Sequence, residues 1–126
     1  SPEPEIGYFP VTLTAAGRAD DLFRDMPPEF PVFQWHYDMF QVPPGAELLA
    51  RSGRCPHQAF RLGRAAYGLQ FHFEVTPEMV EAWLNEYNPQ EVSPAAILSQ
   101  AGAYADEMQG YAHTLCRNFL SLCRQQ

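Results

Sequence analysis

The sequence predicts an α/β domain in which short, largely antiparallel strands come first and helices follow. Up to residue 76 the chain is rich in proline, glycine and aromatic residues, and its apolar stretches are short. From residue 77 onward, apolar residues recur with the period of a helix. The gaps between the strand candidates are shorter than the dozen or more residues that a parallel crossover needs, so hairpins are expected.

Residues 6–13 (IGYFPVTL) read as a strand, with Pro10 pointing to an edge or a bulge. Residues 15–26 suit a short turn or helix anchored by Leu22 and Phe23 and ended by Pro27 and Pro28. Residues 30–40 (FPVFQWHYDMF) are a second strand region, and Pro43-Pro44-Gly45-Ala46 is a turn. Short strands are expected at residues 47–51 and 59–62. Gly63 turns the chain into a further strand over residues 65–74. Thr76-Pro77-Glu78 starts a helix: threonine caps it, proline suits the first helical position, and glutamate favours the positive end of the dipole. Val80, Trp83, Leu84 and Tyr87 then share one face. Ser93-Pro94 repeats the start signal, and Met108, Tyr111, Ala112, Leu115, Phe119 and Leu122 form an apolar stripe on the last helix.

Composition narrows the function classes. The 126 residues amount to one domain or a piece of one. Eight basic against fifteen acidic residues give a net charge of −7, which argues against a nucleic-acid partner, since that surface needs a basic patch. Every basic residue is arginine, so a lysine nucleophile, Schiff base or Walker lysine is excluded. No apolar run approaches the ~18–20 residues that span a bilayer, so no membrane partner is expected. The three cysteines form no CxxC, and Cys116 and Cys123 on one helix would stand about 10 Å apart, too far to bridge. A reduced, cytoplasmic protein with cysteines as small packing residues is the expectation.

The most informative stretch is residues 67–78, YGLQFHFEVTPE. In a strand, Leu69, Phe71 and Phe73 share a core face while Gln70, His72 and Glu74 share the other. An imidazole and a carboxylate at i and i+2 stand within hydrogen-bond reach. The carboxylate can then fix the tautomer and stabilise the imidazolium, as the orienting acid of a nucleophile–His–acid triad does. The same pair also reads as a solvated strand face.

GLQFHFEVTPEM resembles the second signature of the class I glutamine amidotransferases, GxQFHPE followed by Thr or Ser and a helix. Three more stretches agree in order: Glu5-Ile6-Gly7-Tyr8-Phe9-Pro10-Val11, Phe33-Gln34-Trp35-His36-Tyr37-Asp38-Met39-Phe40 in the place of an HGD motif, and Cys55-Pro56-His57-Gln58-Ala59-Phe60 in that of a CPNQAF strand. The resemblance covers residues 5–87, and within the family the chain is similar to the amidotransferase domain of guanosine monophosphate synthetase. It implies a three-layer, flavodoxin-like α/β domain that hydrolyses glutamine through a Cys-His-Glu triad, with no cofactor. His72 then matches the general base and Glu74 its orienting acid, and Trp35, His36, Tyr37 and Asp38 match the substrate-binding motif. Phe73 stands where many members have Pro, and Tyr37 where many have Gly, which reshapes the glutamine pocket.

The family's nucleophile elbow, GxCxGxQ, does not occur in the 126 residues. The chain is therefore expected to be the C-terminal part of a longer amidotransferase, with residues 1–87 belonging to that domain and residues 88–126 a helical extension packed on it. Its expected partners are glutamine and either the missing N-terminal half or a second copy. The other reading is a non-catalytic binding or interaction module of the same fold. Cys55 is the one cysteine to consider as a substitute nucleophile, but it precedes Pro56 and leads into a strand, away from a helix N-terminus. His36, His57 and His72 show no HxH or HExxH spacing, so no metal is expected.

Overall fold

The computed structural model describes residues 5–36 and 41–124. Its elements are β1 (Glu5–Leu13), α1 (Ala15–Ala19), a 3₁₀ turn (Asp21–Phe23), β2 (Glu29–His36), β3 (Glu47–Arg51), β4 (Ala59–Leu62), β5 (Ala66–Leu69), α2 (Pro77–Tyr87) and α3 (Pro94–Arg124). The five strands form one sheet in the order β2-β1-β3-β4-β5, and every pairing is antiparallel.

The ladder between β1 and β2 is the longest, running from Glu5 opposite His36 to Thr12 opposite Glu29. It sets Pro10 opposite Pro31. The N–H and C=O of Phe33 both turn outward to bond His72, so Phe33 and its partner Tyr8 share no backbone bond. Two residues along, the alternation of an antiparallel ladder repeats that state at Pro10 and Pro31, and neither proline interrupts the pairing. β1 lies inside the sheet, yet β3 pairs with it only at Thr12 and Leu13. Pro10 is thus locally at an edge.

The turn signals act where the sequence placed them. Ala46 N–H donates to Pro43 O at 3.0 Å, with Gly45 at φ +84°, a conformation that needs glycine. Thr76 Oγ1 accepts from Met79 N–H and caps α2, while Asn88 ends it in the left-handed region. Ser93 Oγ accepts from Ala96 N–H at the start of α3, a helix of 31 residues.

The core is organised around Phe30, which is 1% exposed. Its ring meets Phe23 of the 3₁₀ turn at 6.2 Å, Phe71 at 6.1 Å, Phe73 at 5.6 Å and Tyr111 of α3 at 5.8 Å between centroids. Such pairs contribute about 0.5–1.5 kcal/mol each beyond area burial. α3 adds Ile97, Ala101, Met108 and Leu115 to the core. Asn118, fully buried, donates to Leu22 O and Arg24 O at 2.8 Å each and so ties α3 to the 3₁₀ turn.

Two expectations are corrected. The strand over residues 65–74 is not continuous: β5 ends at Leu69, and the chain then leaves β4 and bridges to Phe33 at His72. Phe71 and Phe73 are buried, but Leu69 is 42% exposed, because β5 is the edge of the sheet there. Cys116 and Cys123 are exposed thiols rather than packing residues, since each sits one position past the buried side of the helix.

Two substitutions test the packing. A Cβ at Gly17 would lie 2.0 Å from Leu49 O, so Gly17→Ala must displace backbone. A stability loss of about 1–3 kcal/mol is expected by urea denaturation. Asn118→Ala removes the donor from the buried Leu22 carbonyl and the part-buried Arg24 carbonyl and is expected to cost about 1–3 kcal/mol by the same measurement.

Candidate active site

His72 and Glu74 meet as their spacing suggests, although the backbone between them is irregular. His72 Nδ1 lies 2.6 Å from Glu74 Oε1. An ionised carboxylate only accepts, so Nδ1 carries the proton and Nε2 is the basic nitrogen. Glu74 is held a second time, because its Oε2 accepts from Phe73 N–H at 3.0 Å. The His72 main chain is clamped in turn by two bonds to Phe33, at 2.9 and 3.1 Å. Both side chains remain open to solvent, 39% and 64% exposed, as a group must be to meet a substrate or another part of a protein. The pair stands just before Thr76, where the chain turns into α2. A cavity of about 400 Å³ adjoins Glu74 and is walled on its far side by Ala105, Asp106, Gln109 and His113 of α3.

Two of the other predicted site residues, Trp35 and His36, have partners of their own. Trp35 is half-buried in an aromatic cluster with Phe33, Trp83 and Tyr87, at centroid distances of 6.2, 6.2 and 6.1 Å. His36 is 9% exposed, and its Nε2 lies 3.0 Å from Glu5 Oε1. Tyr37 and Asp38 lie outside the described residues.

Sequence reasoning missed the polar network that encloses His36. Glu5 is 1% exposed and accepts from Gln58 Nε2 at 3.1 Å and Ser52 Oγ at 3.2 Å. Gln34 Nε2 donates to Gln58 Oε1 at 2.9 Å. The signal that finds this cluster is the register: once Pro10 opposes Pro31, Glu5 must oppose His36. Cys55 is fully buried beside it, and its Sγ donates to His57 O at 3.4 Å. Burial, first, and the Glu5 charge push this thiol up, outweighing the lowering by the His57 carbonyl contact. That is opposite to the activation a nucleophilic cysteine needs.

A second polar hub braces the other end of the sheet. Asp20 Oδ1 accepts from Leu22 N–H at 2.9 Å and from Tyr67 Oη at 2.7 Å, and Oδ2 lies 3.1 Å from Arg61 Nη1. Burial and the Asp20 bond push the Tyr67 phenol above its ordinary range. Both belong to the junction of the 3₁₀ turn with β4 and β5.

The chain's likeness to known proteins agrees with this geometry. The family model "Glutamine amidotransferase class-I" matches residues 4–85. The glutamine amidotransferase-like protein YfeJ of Salmonella typhimurium is 41% identical over 95 residues, 75% of this chain and 39% of that protein. A GMP synthase [glutamine-hydrolyzing] of Aeropyrum pernix is 35% identical over 107 residues, 79% of this chain and 20% of that protein. A glutamine amidotransferase structure from Thermotoga maritima superposes with a TM-score of 0.80 at 30% identity, covering 93% of this chain and 51% of that one. A glutamine amido transferase from Methylobacillus flagellatus gives a TM-score of 0.83 at 26% identity, covering 97% and 54%. The chain thus spans about half the length of these solved relatives. Among the described residues, no helix is long and apolar enough to cross a membrane. With its matched span holding both the His72–Glu74 pair and the sheet that positions it, this chain belongs to the class I glutamine amidotransferase family and has that family's flavodoxin-like α/β fold.

Proposed function

We propose that this chain is the C-terminal part of an amidotransferase that hydrolyses glutamine to glutamate and ammonia and passes the ammonia to an acceptor. The observation that carries the reading is the 2.6 Å contact between His72 Nδ1 and Glu74 Oε1, at the residues that match the family's second signature. His72 Nε2 would take the proton of a cysteine thiol supplied from outside this chain as the thiol attacks the glutamine side-chain amide. The same nitrogen would then return the proton to the departing ammonia. Glu74 would hold the ring in the required tautomer and stabilise its protonated form.

Trp35, His36, Tyr37 and Asp38 form the proposed glutamine-side segment. His36 would act from within it, fixing the end of β2 through Glu5. Residues 88–126 would extend the same domain, in keeping with the ring contact between Phe30 and Tyr111. The remaining half of the domain is the proposed partner. The edge strand β5, whose Leu69 is 42% exposed beside the equally exposed Leu62 at the end of β4, supports the need for a covering neighbour, since open apolar edges invite pairing. Three free cysteines fit a reduced, cytoplasmic setting.

The reading is tested by ammonia release from glutamine in the protein that carries this chain together with a GxCxGxQ elbow. His72→Asn is expected to lower kcat by about 10³-fold or more with an unchanged circular dichroism spectrum. Glu74→Gln is expected to lose on the order of 10²-fold, because it loosens the imidazole without removing it. Normal turnover in His72→Asn would remove this segment from the chemistry and favour a non-catalytic module of the same fold.

The isolated 126-residue chain is expected to release no ammonia, because triad members act as a unit. Turnover by the chain alone, lost in Cys55→Ser, would overturn that expectation and make Cys55 the nucleophile.

A further inference from the structure

Glu5, His36 and Cys55 come from three separate segments and converge in the interior. Glu5 opens β1, His36 closes β2, and Cys55 lies in the connection from β3 to β4. They are 1%, 9% and 0% exposed, and their donor atoms all lie within 4.8 Å of one another. The set comprises one imidazole nitrogen, one sulfur and one carboxylate oxygen, the three donor types that zinc takes from proteins. At bond lengths of about 2.0–2.3 Å, tetrahedral geometry spaces such donors about 3.3–3.7 Å apart. The 3.0 Å between His36 Nε2 and Glu5 Oε1 needs only a small opening to admit an ion.

The surroundings of the three residues are as specific as the donors. Gln58 Nε2 and Ser52 Oγ each hold one oxygen of Glu5, at 3.1 and 3.2 Å. Ser52 Oγ is itself fixed by Cys55 N–H at 3.1 Å and Gln58 Nε2 at 2.9 Å. Gln34 of β2, fully buried, orients Gln58, which immediately precedes β4. Bonds of this kind, which aim a ligand carboxylate, accompany metal sites and tune their affinity. Charge also balances: a carboxylate and a thiolate with a neutral imidazole carry −2, which a divalent cation cancels, and an uncompensated buried charge is costly. By contrast, among the described residues the Cys55 thiol has a single, long hydrogen-bond contact, to His57 O at 3.4 Å.

We propose that Glu5, His36 and Cys55 form a site for a zinc-like divalent ion that pins the start of β1, the end of β2 and the β3–β4 connection together. Binding replaces the S–H bond of Cys55 with a sulfur–metal bond and the N–H that His36 Nε2 gives to Glu5 with a nitrogen–metal bond. The imidazole stays neutral with its proton on Nδ1, and one proton, that of the thiol, is released to solvent with no change in oxidation state. The ion serves the architecture at the end of β2, where Trp35 and His36 lie, and takes no part in the chemistry assigned to His72. The proposal therefore stands independently of the glutaminase reading. It also revises the expectation from sequence that this chain uses no metal, which tested histidines only against one another.

The test is metal titration of the purified, chelator-stripped protein. Zn²⁺ is added in competition with a chromophoric chelator, and Co²⁺ is added while the near-ultraviolet spectrum is followed. A single tight Zn²⁺ equivalent is expected, with a thiolate-to-cobalt charge-transfer band. Cys55→Ser should abolish the band and weaken Zn²⁺ binding by more than the about 10–100-fold loss typical of a supporting residue, the loss expected of Gln58→Ala. The double variant Cys116→Ser, Cys123→Ser should keep both signals. Absence of tight Zn²⁺ binding in the unaltered protein overturns the proposal, as does a cobalt band that survives Cys55→Ser. Should Cys55→Ser fail to melt cooperatively, the unaltered protein decides: a Tm raised by Zn²⁺ and the thiolate–cobalt band retained in the double variant support the site, and a Tm that Zn²⁺ leaves unmoved overturns it.

Discussion

The pairing of β1 with β2 is the constraint on which the rest of the structure depends. Its register brings Glu5 to His36 at one end and leaves Phe33 with outward-facing backbone groups in the middle. Phe33 then captures His72, and through His72 the loop that carries Glu74. A slip of one residue would move every side chain of β2 to the opposite face. Phe30 would leave its ring cluster, His36 would leave Glu5, and the anchor for His72 would be lost. The register is therefore held from several directions: by the buried Gln34–Gln58 bond, by the Glu5–His36 pair and by the aromatic packing of Phe30 and Phe33.

Much of this was legible in the sequence, because the signals are local. Thr76-Pro77, Pro43-Pro44-Gly45 and Ser93-Pro94 each start or turn an element through the backbone chemistry of two or three neighbours, and each acts where expected. The His72–Glu74 contact was legible for the same reason, since residues two apart stay close in any extended segment. The break after Leu69 was not. Alternation of apolar residues looks the same whether a strand continues beside its partner or leaves it for another, and Phe71 and Phe73 are buried in either case. The network around Glu5 was illegible for a different reason. Its members are up to 53 residues apart, and only pairing brings them together. The ring contacts of Trp35 with Trp83 and Tyr87 of α2 were illegible too, because helix packing makes them and spacing does not reveal them.

The long helix α3 shows how much of the fold lies beyond the matched span of residues 4–85. Its contribution is uneven. Ile97, Ala101, Met108 and Leu115 are buried, while Phe119 and Leu120 are 40% and 54% exposed. Near the C-terminal end, polar anchoring takes over from burial: Asn118 binds two carbonyls, and Arg117 pairs with Asp25 at 2.8 Å. The exposed pair Arg117–Asp25 is worth little alone, about 0–1 kcal/mol, so Asn118 and the apolar contacts carry the attachment.

The opposed prolines of β1 and β2 have a consequence for how this sheet meets other chains. At that step both strands point carbonyls away from each other, but neither has an N–H to offer. An incoming peptide that tried to lengthen the sheet along the outer margin of β2, where His72 already occupies Phe33, or to enter the gap between β1 and β3, would find acceptors without the matching donor at the prolines. The two prolines thus act as a selective barrier to strand addition. They leave recruitment to the opposite margin, at β5, where Ala66-Tyr67-Gly68-Leu69 contains no proline.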